Sequence, residues 1–469
     1  MQGEVFDGAG VTDATLRHAD GVITAVVPGA GPGARRLIIP ALVNAHDHAR
    51  PSMTSFGAAN LPLETWIGRS AFGTPPDPYL AAAVSLARSA RAGCGAMMVH
   101  YTRPSGTMPI VDEAQAIARA AGDVGIRLAF ALAVRDQNPI VYGDGASVLD
   151  SLPGDVRRTV EDTFLRPPMP PTDYLDLTEA LHAAIAGPMV DVQFGPAGVQ
   201  WCSTPLLSAI AERSAQTGRR VHMHLLETVY QRAWADRAFP GGIVRHLRDI
   251  GLLSPRLTLA HCSHARPDEL DLIAESGATI VTNFGSNLHL HSGLAPIADA
   301  YRRKCRIAVG VDGVALDEDD DAVREHRLVQ LMHDGTGFDR TWGRAAFLAM
   351  AVRNGRHAVG APGAGALAVG EPADFTTLDL DALDRDAIMP VDPIDLLFAR
   401  GNAGMVRDVV VAGRTVVQDG ILTGVDLPAM EVALRGMYRA NLPRYHALEQ
   451  AWRPFEGAVA AWFQSRGCC

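Results

Sequence analysis

Short apolar runs alternate with helical patterns along most of the chain. Between about residues 37 and 312 the runs are RLIIPALVNA, GAMMVHY, IRLAFALAV, VDVQFGP, RRVHMHL, RLTLAH, ATIVTN and CRIAVGVDG, which gives eight candidate strands. Most are separated by segments with 3.6-residue apolar spacing, among them PYLAAAVSLARSARAG, LLSAIAERSAQTG and PDELDLIAESG. The last begins with Pro and ends with Gly, as a helix does when its first φ is pre-set and its end turns left-handed. Eight β/α alternations predict an α/β fold, a closed (β/α)8 barrel.

Both chain ends have a different texture. Residues 1–36 hold turn-punctuated pieces such as GVITAVVPG, closed by PGAGPGARR, and 366–420 returns to that texture in ALAVGEPADFTTLDLD and RDVVVAGRTVVQDG. The pattern predicts a composite β-sandwich domain from residues 1–36 and 366–424, a catalytic barrel over 37–365, and a helical extension over 425–469. Two connections are long. PSMTSFGAANLPLETWIGRSAFGTPPDP follows the first strand and is a candidate pocket wall, since long loops at a barrel's C-terminal face shape the site. The segment 134–189, with LRPPMPPTDY inside it, leaves a lid, a subunit contact and a decorative insertion open.

Composition narrows the classes. A 469-residue chain with 48% hydrophobic and 20% charged residues is globular rather than disordered or membrane-embedded. Its net charge of −10 gives no general attraction for nucleic acid. The cysteines at 94, 202, 262, 305, 468 and 469 have no C-x-x-C spacing and imply no disulfide framework. Cys468 and Cys469 do not form a prenylation box and read as a frayed tail. The start has no basic segment followed by an apolar one, and no run reaches about 18 apolar residues, so a cytoplasmic protein without membrane contact is expected. Lys304 is the only lysine.

The densest chemistry is Asn44-Ala45-His46-Asp47-His48, at the end of the first barrel strand. Side chains alternate along a strand, so His46 and His48 share a face and can converge on one cation. His224, His261 and Asp312 end the fifth, sixth and eighth strands, at the same catalytic face. Imidazoles and a carboxylate suit Zn2+, Fe2+ or Mn2+, with a position left for water. Alternation also puts His222 on the face of His224, and strand geometry does not choose between them.

The stretches PALVNAHDH, VHMHLLET, LTLAHCSHARPDEL, TNFGSNLHLHSGLAPI and VGVDG, followed by GALAVGEPADF and VVVAGRTVVQDG, resemble the amidohydrolase superfamily, in its branch of metal-dependent deaminases and triazine chlorohydrolases. The resemblance covers nearly the whole chain. It implies one divalent ion per chain, Zn2+ foremost and Fe2+ or Mn2+ otherwise, held by His46, His48, His224 and Asp312. It implies that Glu227 shuttles protons and that His261 hydrogen-bonds the attacking hydroxide or the developing oxyanion, with Asp312 able to accept a proton while ligating. Two-metal relatives bridge their ions with a carbamylated lysine on the fourth strand. Lys304, in the helix before the eighth strand, cannot supply one.

The implied activity is hydrolytic deamination of an amino-substituted N-heterocycle of purine, pterin, pyrimidine, triazine or imidazole type, with release of ammonia. The alternative is hydrolysis of another C–N or C–Cl bond: dechlorination, alkylamine removal, or cleavage of a cyclic amide or urea. A non-catalytic relative would be expected to lose ligands, and none is missing here. Trp66 and Trp201 are candidates to stack on a flat ring, and Gln200 to read its edge with a paired donor and acceptor. Asn60, His264 and Asn287 are further substrate-binding candidates, with Arg135 and Asp136 behind them. The run Asp317–Asp321 is expected near the barrel mouth, where it would bias the pocket against anionic substrates. A small-molecule substrate and a homodimer or higher homo-oligomer complete the expectations.

Overall fold

The structure is a computed structural model and describes residues 1–29 and 35–466. The middle of the PGAGPGARR segment and the Cys468–Cys469 tail lie outside these residues. Eight parallel strands run in sequence order around the barrel: Leu42–Asn44, Cys94–Tyr101, Arg127–Val134, Val190–Pro196, Val221–Leu225, Leu257–His261, Thr279–Thr282 and Arg306–Val309. Ala45 N–H donates to Val309 C=O and Asp312 N–H to His46 C=O, joining the first strand to the eighth. The helices between them begin and end as their sequences dictate. Asp77 accepts the Leu80 N–H to start Pro78–Arg91, Ser203 caps Thr204–Thr217, and Gly218 and Gly277 close their helices at φ of 73° and 70°.

The chain ends meet in one mixed eight-stranded sheet, ordered Ile421–Leu422, Arg414–Gln418, Val406–Val411, Phe375–Asp379, Arg36–Pro40, Gln2–Phe6, Val11–Ala19, Val22–Pro28. It curls back on itself, with Ile23 N–H bonded to Glu371 C=O and Gly370 N–H to Ile23 C=O, around a small core that includes Leu16, Ile38 and Phe375. The run RLIIPALVNA, expected as one barrel strand, is divided between the two sheets. Pro40 has no N–H to extend a ladder, Ala41 N–H still reaches Asp374 C=O, and Leu42 N–H already reaches Gly93 C=O. The end sheet therefore runs four residues past 36. Lys304 also shifts: it lies in the exposed turn after the helix Ile297–Arg302.

The first part of the 134–189 segment and the last helix form a roof, while helices Pro171–Ile185 and Leu427–Asn441 pack on the barrel. Helix Gly154–Phe164 packs on helix His446–Gln464, with Phe164 and Phe455 rings stacked at 5.3 Å. Trp452, Val459, Trp462 and Phe463 share a core with Leu63, Trp66, Tyr142 and Trp201. The roof thus bears on the loops that carry the candidate pocket residues. No helix among the described residues is long and apolar enough to cross a membrane.

Candidate active site

Strand register brings the chemistry together. Ala260 pairs with His224 and His261 with Leu225, so the fifth and sixth strands deliver their histidines side by side, with rings stacked at 5.5 Å. His46 Nε2 and His48 Nε2 stand 3.3 and 3.1 Å from Asp312 Oδ1, and His224 Nε2 is 3.4 Å from His48 Nε2. All four residues are buried. Donor atoms of a tetrahedral site with bonds of about 2.0–2.1 Å stand about 3.3–3.4 Å apart. The observed separations match that spacing.

The opposite ring nitrogens set the tautomers. His48 Nδ1 meets His100 C=O and His224 Nδ1 meets Ala197 C=O, each at 2.6 Å. A carbonyl only accepts, so both Nδ1 atoms carry hydrogen and both Nε2 atoms present lone pairs. His46 Nδ1 lies 2.6 Å from His222 Nε2, and its own Nε2 is buried without a hydrogen-bond partner. Bare lone pairs facing one another in a dry site suit a cation. His222 is thereby distinguished from His224: it backs His46 from below rather than joining the cluster.

Burial keeps four of the site's imidazoles neutral. It pulls His46 down to about 3 and puts His100, His222 and His224 well below the usual histidine range, with neighbouring rings adding to the effect. Burial alone would raise Asp312. The Arg50 guanidinium, with the His46 and His48 rings beside the carboxyl, outweighs burial and holds it well below the usual range. Ser286 Oγ donates to Asp312 Oδ2 at 2.5 Å and Arg50 Nη2 to Asp312 Oδ1 at 3.2 Å. Glu227 is pushed up by burial. Its Oε2 is 3.7 Å from His261 Nε2, a buried atom with no hydrogen-bond partner, and His261 Nδ1 is 2.9 Å from Asn287 Oδ1. Strand ends here carry backbone strain, with positive φ at Ala49, Leu226, His261, Cys262 and Asp312.

These groups open into a cavity of about 150 Å3, lined among others by His48, Trp66, Arg103, Arg135, Trp201 and Glu227. Of the six substrate-binding candidates, Trp66 and Trp201 are on its wall. The other four are not among its lining residues. The Gln200 side chain is buried beneath the Gly198 turn, and exposed Asn60 accepts from His291 at 3.0 Å. His264 holds Ser292 C=O at 2.7 Å, and Asn287 orients His261. Asp136 fixes Ser203, the cap of the next helix, accepting from its N–H and hydroxyl. The acidic run does not face the cavity: Asp317 and Asp319 pair with Arg324, Glu318 bonds Ser52, and Asp321 caps the next helix. Local counter-charge and capping engage these four acids. Arg50, Arg103, Ser286 and Ser292 went unnoticed in the sequence. Ser286 and Ser292 lie within TNFGSNLHLHSG, but an isolated Arg or Ser in a loop carries no signal.

Fold and site together define a (β/α)8 barrel with a histidine and carboxylate cation site at its C-terminal face. The chain belongs to the amidohydrolase family, whose model matches residues 37–416. It is 30% identical over 443 residues to the 5-methylthioadenosine/S-adenosylhomocysteine deaminase of Nitratidesulfovibrio vulgaris, covering 92% of this chain and 93% of that one. It is 28% identical over 404 residues to the 8-oxoguanine deaminase of Pseudomonas aeruginosa, covering 84% and 85%. An adenosine deaminase from Xanthomonas campestris, solved with bound zinc, shares the fold with a TM-score of 0.78 at 23% identity, over 94% of this chain and 98% of its own. Zinc-complexed atrazine chlorohydrolase TrzN from Arthrobacter aurescens TC1 has a TM-score of 0.76 at 23% identity, over 91% and 95%.

Proposed function

We propose that this protein is a single-metal hydrolase that replaces the amino group of an N-heterocycle by oxygen and releases ammonia. One observation carries the reading: three imidazole Nε2 atoms and Asp312 Oδ1 converge at ligand spacing, with Glu227 and His261 at the edge of the same cavity. The deaminase relatives support it. His46, His48, His224 and Asp312 would hold a divalent ion, Zn2+ foremost. Such an ion lowers the pKa of a water it binds from 15.7 toward about 7.

The chain's own residues supply the rest. Glu227, raised by burial, takes a proton from the attacking water and delivers it to the ring nitrogen beside the carbon under attack. Protonation makes that carbon electrophilic, and the new C–O bond leaves it tetrahedral. Protonated His261 gives Nδ1–H to Asn287 and aims Nε2–H at the oxygen on which charge develops. Asp312 Oδ2, bonded by Ser286, is a second proton station, and a proton passed to the amino nitrogen lets ammonia leave as the C–N bond breaks. The absence of lysine from the fourth strand supports one ion rather than a carbamate-bridged pair.

The test is a panel of aminated purines, pterins, pyrimidines, triazines and imidazoles, scored for ammonia and for a product in which O replaces NH. No ammonia from any member, with a chlorinated or alkylamino ring hydrolysed instead, would move the reading to the other bond types. We further propose a cytoplasmic homodimer. Free buried cysteines at 94, 202, 262 and 305 fit a reducing compartment, and exposed apolar residues such as Leu331, Met332 and Phe338 fit a covered face. Sedimentation of the purified chain checks the second point, and a monomer would reject it.

A further inference from the structure

The cavity wall carries more positive charge than the chemistry at its floor uses. Its acids are Glu227 and Asp312, and its bases besides histidine are Arg50, Arg103 and Arg135. Arg50 is committed to Asp312 and lies over the Trp66 ring at 4.5 Å. Arg103 follows the second strand and is braced along one edge, Nε to Ser70 Oγ at 3.1 Å and Nη2 to Ile67 C=O at 2.7 Å, which leaves Nη1 without a protein acceptor. Arg135 follows the third strand, stays open to water in the concave mouth, and has no hydrogen bond or ion pair among the described residues.

No carboxylate of the described residues lies within 4.0 Å of either guanidinium. Of the acids in the adjoining recess, Glu456 pairs with Arg453, and Glu64 accepts from Thr228 and Tyr142 through Oε1 while its buried Oε2 bonds neither arginine. Burial, and then repulsion from Arg135 and Arg50, pulls Arg103 down to about 9. Two neighbouring guanidiniums without a counter-charge repel one another, and an anion bridging them converts that repulsion into charge-assisted hydrogen bonds. In a chain of net charge −10 such a pair is a local reversal of sign.

We propose that Arg103 and Arg135 receive a carboxylate substituent on the heterocycle whose amino group reacts at Glu227 and His261. The arginines leave the second and third strands and the proton carriers the fifth and sixth, so the two functions face each other across the mouth. Trp66, Trp201, Leu63, Ile67 and Leu290 give the flat and apolar wall a ring requires. A cavity of about 150 Å3 suits a ring with a compact planar anion rather than a phosphorylated sugar. The proposal rests on the deaminase reading for the reacting group and on the arginines alone for the anion.

The test uses the full-length, metal-loaded protein with amino-substituted pyrimidines, pyrazines and triazines, each offered as the ring carboxylate and as its neutral carboxamide. Titration calorimetry reads binding and ammonia release reads turnover. The carboxylates are expected to bind about tenfold or more tighter than their carboxamides, and Arg135→Gln to remove most of that gap. Arg135→Lys keeps the charge without the planar fork and should restore part of it. A wild-type protein without the preference, a preference unchanged in Arg135→Gln, or no binding by any carboxylate overturns the proposal. Arginine-dependent binding without ammonia from any compound upholds the anion site and rejects the deaminase reading. Ammonia from the carboxamides with no dependence on Arg135 does the reverse.

Discussion

His46, His48 and His224 each present Nε2 because of what holds the other nitrogen: a histidine ring behind His46, a backbone carbonyl behind the other two. A His224→Ala variant should therefore lose bound metal outright. His222→Ala should keep most of it and bind it more weakly, by about 10–100-fold as for other outer-shell partners. Elemental analysis after dialysis checks both, and the opposite order would exchange the roles of the two residues. Glu227→Gln should retain metal and lose about 10²–10⁴-fold in kcat, since only its proton transfer is removed. The three histidines and the carboxylate that converge here were legible in the sequence because each ends an apolar strand and matches a motif. Tautomer, the choice of His224 over His222 from geometry, and the cavity wall beyond Trp66, Trp201 and Arg135 were not: they depend on which backbone carbonyl or loop side chain arrives from elsewhere in the chain. Gln200 shows the limit, an amide at a strand end that the Gly198 turn covers.

At the scale of elements, barrel closure depends on close approach of the first and eighth strands. A Cβ on Gly310 would stand 2.3 Å from Asn283 Oδ1 and 2.9 Å from the His46 backbone nitrogen, so Gly310→Ala should displace the His46 strand and lower both stability and metal content. Denaturant unfolding with metal analysis reads both effects. The end sheet is tied to the barrel through Asp374, which accepts from Arg127 at 2.9 Å and pairs with Arg356 at 2.8 Å. Burial would raise the Asp374 carboxyl, but the two arginines hold it below the usual range. Its stabilisation is thus full above the unfolded carboxyl's pKa of about 3.9 and is lost as pH falls through the lower folded value. Asp374→Asn should cost about 3–5 kcal/mol at neutral pH, by leaving two buried arginines unpaired, and should flatten the acid limb of the stability profile. The strands were legible as apolar runs between helical patterns. The division of RLIIPALVNA between two sheets was not, because one continuous run serves both and only the partner changes.

Over the whole molecule, the end sheet lies outside the barrel while helix Gly154–Phe164 and the C-terminal helix back the loops that wall the cavity. Phe455→Ala, in the roof core with Trp66 and Trp201, should cost about 3–5 kcal/mol and raise KM more than it lowers kcat, because it loosens the substrate wall and leaves the ligands in place. Steady-state kinetics at a temperature below the unfolding transition separates the two effects. The roof was read from sequence only as a helical extension and an unexplained insertion, since neither segment shows its partner until both are folded. The most direct measurement of one ion driving hydrolytic release of ammonia is a titration of metal-stripped protein with Zn2+, followed by ammonia production on a responsive substrate. Activity should be absent at the start, rise in proportion to added metal and break at one equivalent per chain. A break at two equivalents, or full ammonia release from the stripped protein, would contradict it.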